Sequence, residues 1–122
     1  MIMLTPEEWV RQHFVHLLIK YYHYPKSLIK LESGLRYNKL LKRTDIVIYN
    51  RTGECFMIVE CKAPEVKIDE KVFSQASVYN QTLKANYILV SNGIKHFCCF
   101  IDHKEGTSKF ISGIPAFPQP SE

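Results

Sequence analysis

The sequence predicts an α/β fold, with a mixed central sheet flanked by helices and elements in the order αβββαββ. Three observations carry that expectation. One helix signal opens the chain and a second begins near residue 69. Between them lie two apolar runs, 45–49 and 54–62, split by Asn50-Arg51-Thr52-Gly53. After the second helix come two more, 86–91 and 95–101, split by Asn92-Gly93. Asn and Gly between apolar runs mark hairpin turns.

Thr5-Pro6-Glu7-Glu8 is a helix start, with Thr as N-cap, Pro at the first helical position and acids in the first turn. The helix is expected to run to about His23, with Val10, Phe14, Leu17, Leu18 and Tyr21 as its apolar stripe. Glu7 falls on that stripe and Glu8 points away. Pro25 ends the helix. Residues 28–32 read as a strand and Ser33-Gly34 as a turn. Ala63-Pro64 stops the third strand. The second helix is expected over 69–84, with Val72, Phe73, Ala76, Tyr79 and Leu83 on its apolar face. From about Asp102 the chain carries Gly106, Gly113 and prolines at 115, 118 and 120. That segment is expected to lack regular structure. The domain is therefore assigned to 1–101 and a Pro/Gly-containing tail to 102–122.

A chain of 122 residues suits one domain with its own core. No run approaches the roughly 20 apolar residues of a membrane span, and the N-terminus lacks the basic-then-apolar order of a signal peptide. No membrane partner and a cytoplasmic location are the resulting expectations. The cysteines, at 55, 61, 98 and 99, lie in expected strands and lack zinc-knuckle spacing, so free buried thiols are expected. The five histidines form no metal-binding pattern. A net charge of +4 permits a polyanionic partner without demanding one.

The chemistry-bearing feature is Glu60-Cys61-Lys62, which closes an apolar strand, with Asp45 opening the strand before it. Acids and lysines are rarely buried unless paired or metal-bound. If Tyr49 pairs with Glu54, Asp45 lies opposite Ile58. Asp45, Ile58, Glu60 and Lys62 then share a face. The two carboxylates become diagonal neighbours, roughly 7–8 Å apart at the α-carbons, within reach of one ion. Cys61 points the other way, into the core. Two oxygen ligands for Mg²⁺ beside a lysine are what a metal-dependent phosphodiesterase needs. The competing reading is a set of strand-end charges facing solvent, with Lys62 as a salt-bridge partner. Arg36, Lys39, Lys42 and Arg43 cluster just before Asp45, either as a solvated loop or as a phosphate-gripping rim. Gln75 and Tyr79 stack on one face of the second helix, which should bring Gln75 near the sheet.

With these residues in this order, the chain resembles the PD-(D/E)XK nuclease superfamily, whose core is restriction-endonuclease-like, αβββαβ. More closely it is similar to the N-terminal nuclease domain of type I restriction enzyme R subunits. The carriers are Pro6-Glu7-Glu8 with Val10-Arg11, the stretch from Arg43 to Val47, the stretch from Val59 to Pro64, Gln75 with Tyr79-Asn80, and Ser91-Asn92-Gly93, over about residues 5–101. The resemblance implies that Asp45, Glu60 and the Cys61 carbonyl hold Mg²⁺ (or Mn²⁺). It implies that Lys62 positions or activates the attacking water and that Gln75 and Tyr79 match an extra motif that contacts DNA or orients the site. Glu7 matches an accessory acid that some members supply from the first helix. Thr44 stands where the eponymous proline would be. No Walker-type Gly-rich loop is present, so DNA translocation lies outside this chain, in a larger restriction or helicase assembly. The implied function is a metal-dependent DNA endonuclease-like domain that hydrolyses phosphodiester bonds. Two alternatives stay open: a non-cleaving nuclease-fold module that binds nucleic acid or protein, and an RNA-directed nuclease. Oligomeric state is not legible.

Overall fold

The computed structural model describes residues 5–31 and 46–118. Helix α1 (Pro6–Lys20) leads through a 3-10 turn, Lys26–Leu28, into strand β1 (Ile29–Leu31). Strands β2 (Ile46–Tyr49) and β3 (Cys55–Cys61) follow, then helix α2 (Glu70–Leu83). Strands β4 (Tyr87–Ser91), β5 (His96–Asp102) and β6 (Thr107–Ile111) complete the chain. The six strands form one sheet in sequence order. Every pairing is antiparallel except β3 with β4, which is parallel. Parallel neighbours need a crossover, and α2 is that crossover. The expected mixed α/β architecture is therefore the observed one.

The helices cover opposite faces. On one side Val10, Phe14 and Leu18 of α1 pack with Ile46, Ile48, Met57, Val59, Cys61 and Leu89. On the other, Ala76 of α2 packs with Val47, Ile58 and Ile88. Strand alternation sorts the residues between these layers. Both helices begin as expected. Thr5 Oγ accepts the Glu8 N–H at 3.0 Å, and the Asp69 side chain accepts the Val72 N–H at 3.2 Å.

The β2–β3 hairpin differs from the expected register, and the cause is local. The turn is five residues, 50–54, organised by Asn50. Its Oδ1 accepts the N–H groups of Thr52 and Glu54 at 3.0 and 2.9 Å. Tyr49 therefore pairs with Cys55, not Glu54. The register shifts once more between Tyr49 and Ile48, which pairs with Met57. Phe56 is the extra residue of a bulge, and Phe56 and Met57 both enter the α1-side core. Two one-residue shifts make an even total, so the face parity of residues 57–61 is restored. Ile58 pairs with Val47, not with Asp45 as expected.

Three further differences also have local causes. Helix α1 stops at Lys20 rather than near His23, because His23 takes a left-handed conformation (φ 58°) and the Tyr24 N–H returns to the Leu18 carbonyl. The segment after Asp102 is not irregular: β6 pairs with β5 from Asp102↔Thr107 to Cys98↔Ile111. Beyond it, Phe117 is buried against Tyr24 and Phe56, and the Tyr24 hydroxyl donates to the Pro115 carbonyl at 2.6 Å. The sheet thus continues past Ile101, the expected end of the domain.

Candidate active site

Strands β3 and β4 run parallel, so their C-terminal ends lie side by side. In open α/β sheets that edge is where sites are built. Glu60 pairs in register with Val90, and Cys61 with Ser91. One residue on, the Lys62 N–H donates to the Ser91 carbonyl at 2.8 Å, which carries the ladder past the end of β3. Alternation points Cys61 into the α1-side core, where it is fully buried, as expected. Glu60 and Lys62 share the opposite face.

Glu60 is only 6% exposed, on a strand whose other residues from Phe56 to Cys61 are buried and apolar. A carboxylate so placed needs a partner. Lys62 provides one, with Nζ 3.3 Å from a Glu60 carboxylate oxygen. The lysine side chain is itself mostly buried, at 15% exposure.

The backbone after Lys62 is fixed from the β4–β5 turn. Asn92 is buried; its Oδ1 accepts the N–H groups of Ile94 and Lys95 at 2.9 and 2.8 Å. Its Nδ2 donates across to the Val66 carbonyl at 2.9 Å. The 63–66 turn, closed by Val66 N–H to Ala63 O at 2.9 Å, is thereby clamped beside Lys62. Gly93 makes the β4–β5 turn possible from the other side. Its φ is +88°, and a Cβ there would sit 3.2 Å from a Val10 methyl. Ser91 completes the scaffold: its Oγ accepts the Gly93 N–H at 3.0 Å and lies 3.1 Å from His96 Nδ1. Burial, and then the neighbouring His13, hold the His96 imidazole below its usual pKa. The sequence marked Asn92-Gly93 as a turn; it held no sign that the asparagine also grips the loop after Lys62.

The other expected site residues separate into three groups. Asp45, Arg36, Lys39, Lys42 and Arg43 lie outside the described residues. Gln75 is exposed, not near the sheet, because the buried line of α2 runs through Val72, Ala76 and Asn80. Tyr79, four residues on, is half-buried. In the first turn of α1 the expected roles are exchanged. Glu7 is exposed, whereas Glu8 is half-buried, with Arg11 and Gln12 bonded to its carboxylate. Asn80 closes the end of α2. Its amide exchanges two hydrogen bonds with the Ala85 backbone, at 3.1 and 2.8 Å, just past the left-handed Lys84 cap.

All four cysteines are free thiols, and three are buried. Among the described residues no group of three or more His, Cys, Asp or Glu side chains converges as a metal cluster. Among them too, no helix is long and apolar enough to cross a membrane. What the described part of the site does supply is a hard, water-poor carboxylate oxygen with an ammonium beside it.

Comparison with known proteins bears on the fold and the family. No curated protein matches the chain. A solved fragment described as the HsdR subunit of a type I restriction enzyme from Vibrio vulnificus YJ016 has a similar fold, with a TM-score of 0.60 at 15% identity over 95% of this chain. This chain spans 24% of that fragment's length. The family model for the type I restriction enzyme R protein N terminus matches residues 6–115, nearly the whole chain. The chain therefore belongs to the family of type I restriction enzyme R protein N termini.

Proposed function

We propose that this chain is a metal-dependent DNA endonuclease domain, the phosphodiester-hydrolysing unit of a larger restriction assembly. The observation that carries the reading is the Glu60–Lys62 pair. A buried carboxylate and a mostly buried ammonium, 3.3 Å apart at the end of an apolar strand, form an arrangement that packing alone does not require. Membership of the restriction R-protein family supports the substrate class.

In this reading the carboxylates of Asp45 and Glu60 and the carbonyl of Cys61 would hold Mg²⁺ or Mn²⁺. The ion, when bound, polarises the scissile phosphate and lowers the pKa of its water. The chain's own residues do the rest. Glu60 supplies one fixed anionic ligand on a rigid strand. Lys62 presents its ammonium to the attacking water or to a phosphate oxygen, and the Ser91 carbonyl and the Asn92-clamped turn hold its backbone in place. Gln75 and Tyr79 stand on α2 as DNA-contacting or orienting groups, and Glu7 as an accessory acid. Arg36, Lys39, Lys42 and Arg43 would grip the phosphate backbone.

The test is cleavage of supercoiled and linear DNA, with an RNA arm, across Mg²⁺, Mn²⁺ and EDTA. Metal-dependent nicking that disappears in Asp45→Ala, Glu60→Ala and Lys62→Ala is the expected result. Binding to DNA with no cutting under any metal would replace the enzyme reading with a binding module.

A further inference from the structure

We propose that the aromatic pocket between the start of α2 and the β5–β6 edge holds one unpaired base of the DNA strand that enters the Glu60–Lys62 site. The DNA substrate rests on the nuclease reading above; the pocket's face, shape and charge stand on their own.

The pocket lies on the face that carries Glu60. Ile58 and Ile88, two residues before Glu60 and Val90 on their strands, pack with Ala76 of α2. Glu60 and Val90 therefore point to the α2 side as well. Val90 pairs in register with Glu60 on one flank and with Phe97 on the other. Paired residues share a face, so Glu60, Val90 and Phe97 form one row on the α2 side. Two strand spacings, about 10 Å, separate the ends of that row. The backbone spans the same gap: the loop that leaves Lys62 reaches the pocket wall at Ile68 and Asp69.

Phe110 pairs with Cys99, two residues past Phe97, and so lies on this face too. Its ring meets that of Phe73 from α2 edge-on, with centroids 5.1 Å apart. The three phenylalanines and Ile68 line a cavity of about 610 Å³, within the range of ligand pockets. Helix α2 packs over β2, β3 and β4, and leaves Phe97 41% and Phe110 63% exposed. Open ring faces in a concave, mostly apolar wall are what a planar base stacks on.

Charge selects a base rather than a phosphate. Asp69 and Glu70 stand in the wall, and His96 beside them is held below its usual pKa, so the wall is acidic at pH 7. A phosphate would meet those carboxylates. A carboxylate instead accepts from the exocyclic amine of cytosine, where thymine presents a carbonyl oxygen. Lys67 and Lys71, both exposed, flank the acidic stretch in sequence and suit the phosphates on either side of the base. Bases inside a duplex are stacked and paired, so the occupant is a frayed, single-stranded or flipped-out nucleotide.

The test uses the full chain in EDTA with labelled oligodeoxycytidylate, oligothymidylate, oligoribocytidylate and a closed hairpin duplex, read by anisotropy. Oligodeoxycytidylate should bind tightest and the duplex weakest. Phe97→Ala and Phe110→Ala should each weaken its binding about tenfold. Phe110→Tyr should keep the affinity and Phe110→Leu should not, since only tyrosine retains a π-face. Circular dichroism should stay unchanged in all four. Glu70→Ala should shrink the preference for cytosine over thymine. Equal affinity in the two alanine variants, full affinity in Phe110→Leu, or no single-strand binding would each overturn the pocket. A preference unchanged in Glu70→Ala would overturn the assignment of the base edge, and tighter binding of oligoribocytidylate the assignment to DNA. A dimer in sedimentation that Phe110→Ala dissolves would give the pocket to a second copy of the chain and overturn the base. Cleavage in Mg²⁺ separates the two readings. Phenylalanine-dependent binding without cleavage keeps the pocket and removes the nuclease; cleavage and affinity unchanged in both alanine variants do the reverse.

Discussion

The Lys62 ammonium lies 3.3 Å from a Glu60 carboxylate oxygen, two positions further along the same face of one strand. Strand alternation makes these two residues neighbours, and burial makes each depend on the other. Removing the lysine leaves a carboxylate 6% exposed without its ammonium. Lys62→Met, which keeps the apolar stem, should therefore lower stability by about 1–3 kcal/mol. It should also abolish cleavage while DNA affinity falls only a few-fold. Adding Glu60→Gln to Lys62→Met should recover part of the lost stability without restoring cleavage. Denaturant melts and a nicking assay on the same samples check both. Full stability in Lys62→Met would make the pair incidental.

Gly93 ties the candidate site to α1. Its φ of +88° is one that L side chains rarely adopt, and a Cβ would press on Val10 at 3.2 Å. Gly93→Ala should cost about 1–3 kcal/mol, since strain and crowding add. Trimming the neighbour with Val10→Ala should not rescue it, because the backbone strain persists and a core methyl pair is lost as well. A double-mutant cycle by urea denaturation decides this. Recovery in the double variant would mean that crowding alone set the cost.

The features legible in the sequence were those written in local chemistry. Glu60 and Lys62 stood out because an apolar strand leaves no ordinary use for them, and their shared face followed from alternation. Asn50 and Gly53 announced a hairpin. The bulge at Phe56 was not legible, because Phe56 and Met57 are both apolar and either fits the core. Its one-residue shift added to that of the longer turn, so the register differs by two positions and residues 57–61 keep their expected faces. Strand β6 escaped notice because four of its five residues are exposed, which leaves no alternation to read. The turns that follow the two helices use left-handed His23 and Lys84, which are not glycine, so no composition signal marks them. Gln75 was expected on the sheet side because it lies near Val72 and Leu83, but the buried line of α2 is narrower than that.

Asn92 joins two functions that one substitution can separate. Its Oδ1 organises the β4–β5 turn, and its Nδ2 holds the Val66 carbonyl of the loop that follows Lys62. Asn92→Asp keeps the acceptor and removes the donor. The turn should survive, and amide exchange in residues 63–68 should accelerate about tenfold, a loss of roughly 1.4 kcal/mol that fits one hydrogen bond. Asn92→Ala should release both the loop and the turn. Exchange in 63–68 that is unchanged in Asn92→Asp would show that the loop is held by other contacts.

His96 gives the fold a pH dependence. Its ring touches Phe14 edge-on at 5.6 Å, and its Nδ1 lies 3.1 Å from Ser91 Oγ. Burial, then His13, push its folded pKa below the usual 6.5. The sign follows from linkage: in the window just below 6.5 the unfolded chain binds the proton and the folded chain does not. Stability should therefore be full above pH 6.5 and should fall as pH drops toward the lower folded value. The group is half solvated, so the effect should be modest. His96→Gln cannot take up the proton, and its stability between pH 7 and pH 5 should decline less than that of the wild type. His13→Gln removes the second charge, so its decline should also be smaller, though less so than in His96→Gln, because burial is the larger cause. Thermal melts of the three proteins across that range, at constant ionic strength, supply the measurement. Parallel curves would show that the imidazole keeps its ordinary affinity for the proton and that the Ser91–His96 contact is indifferent to it.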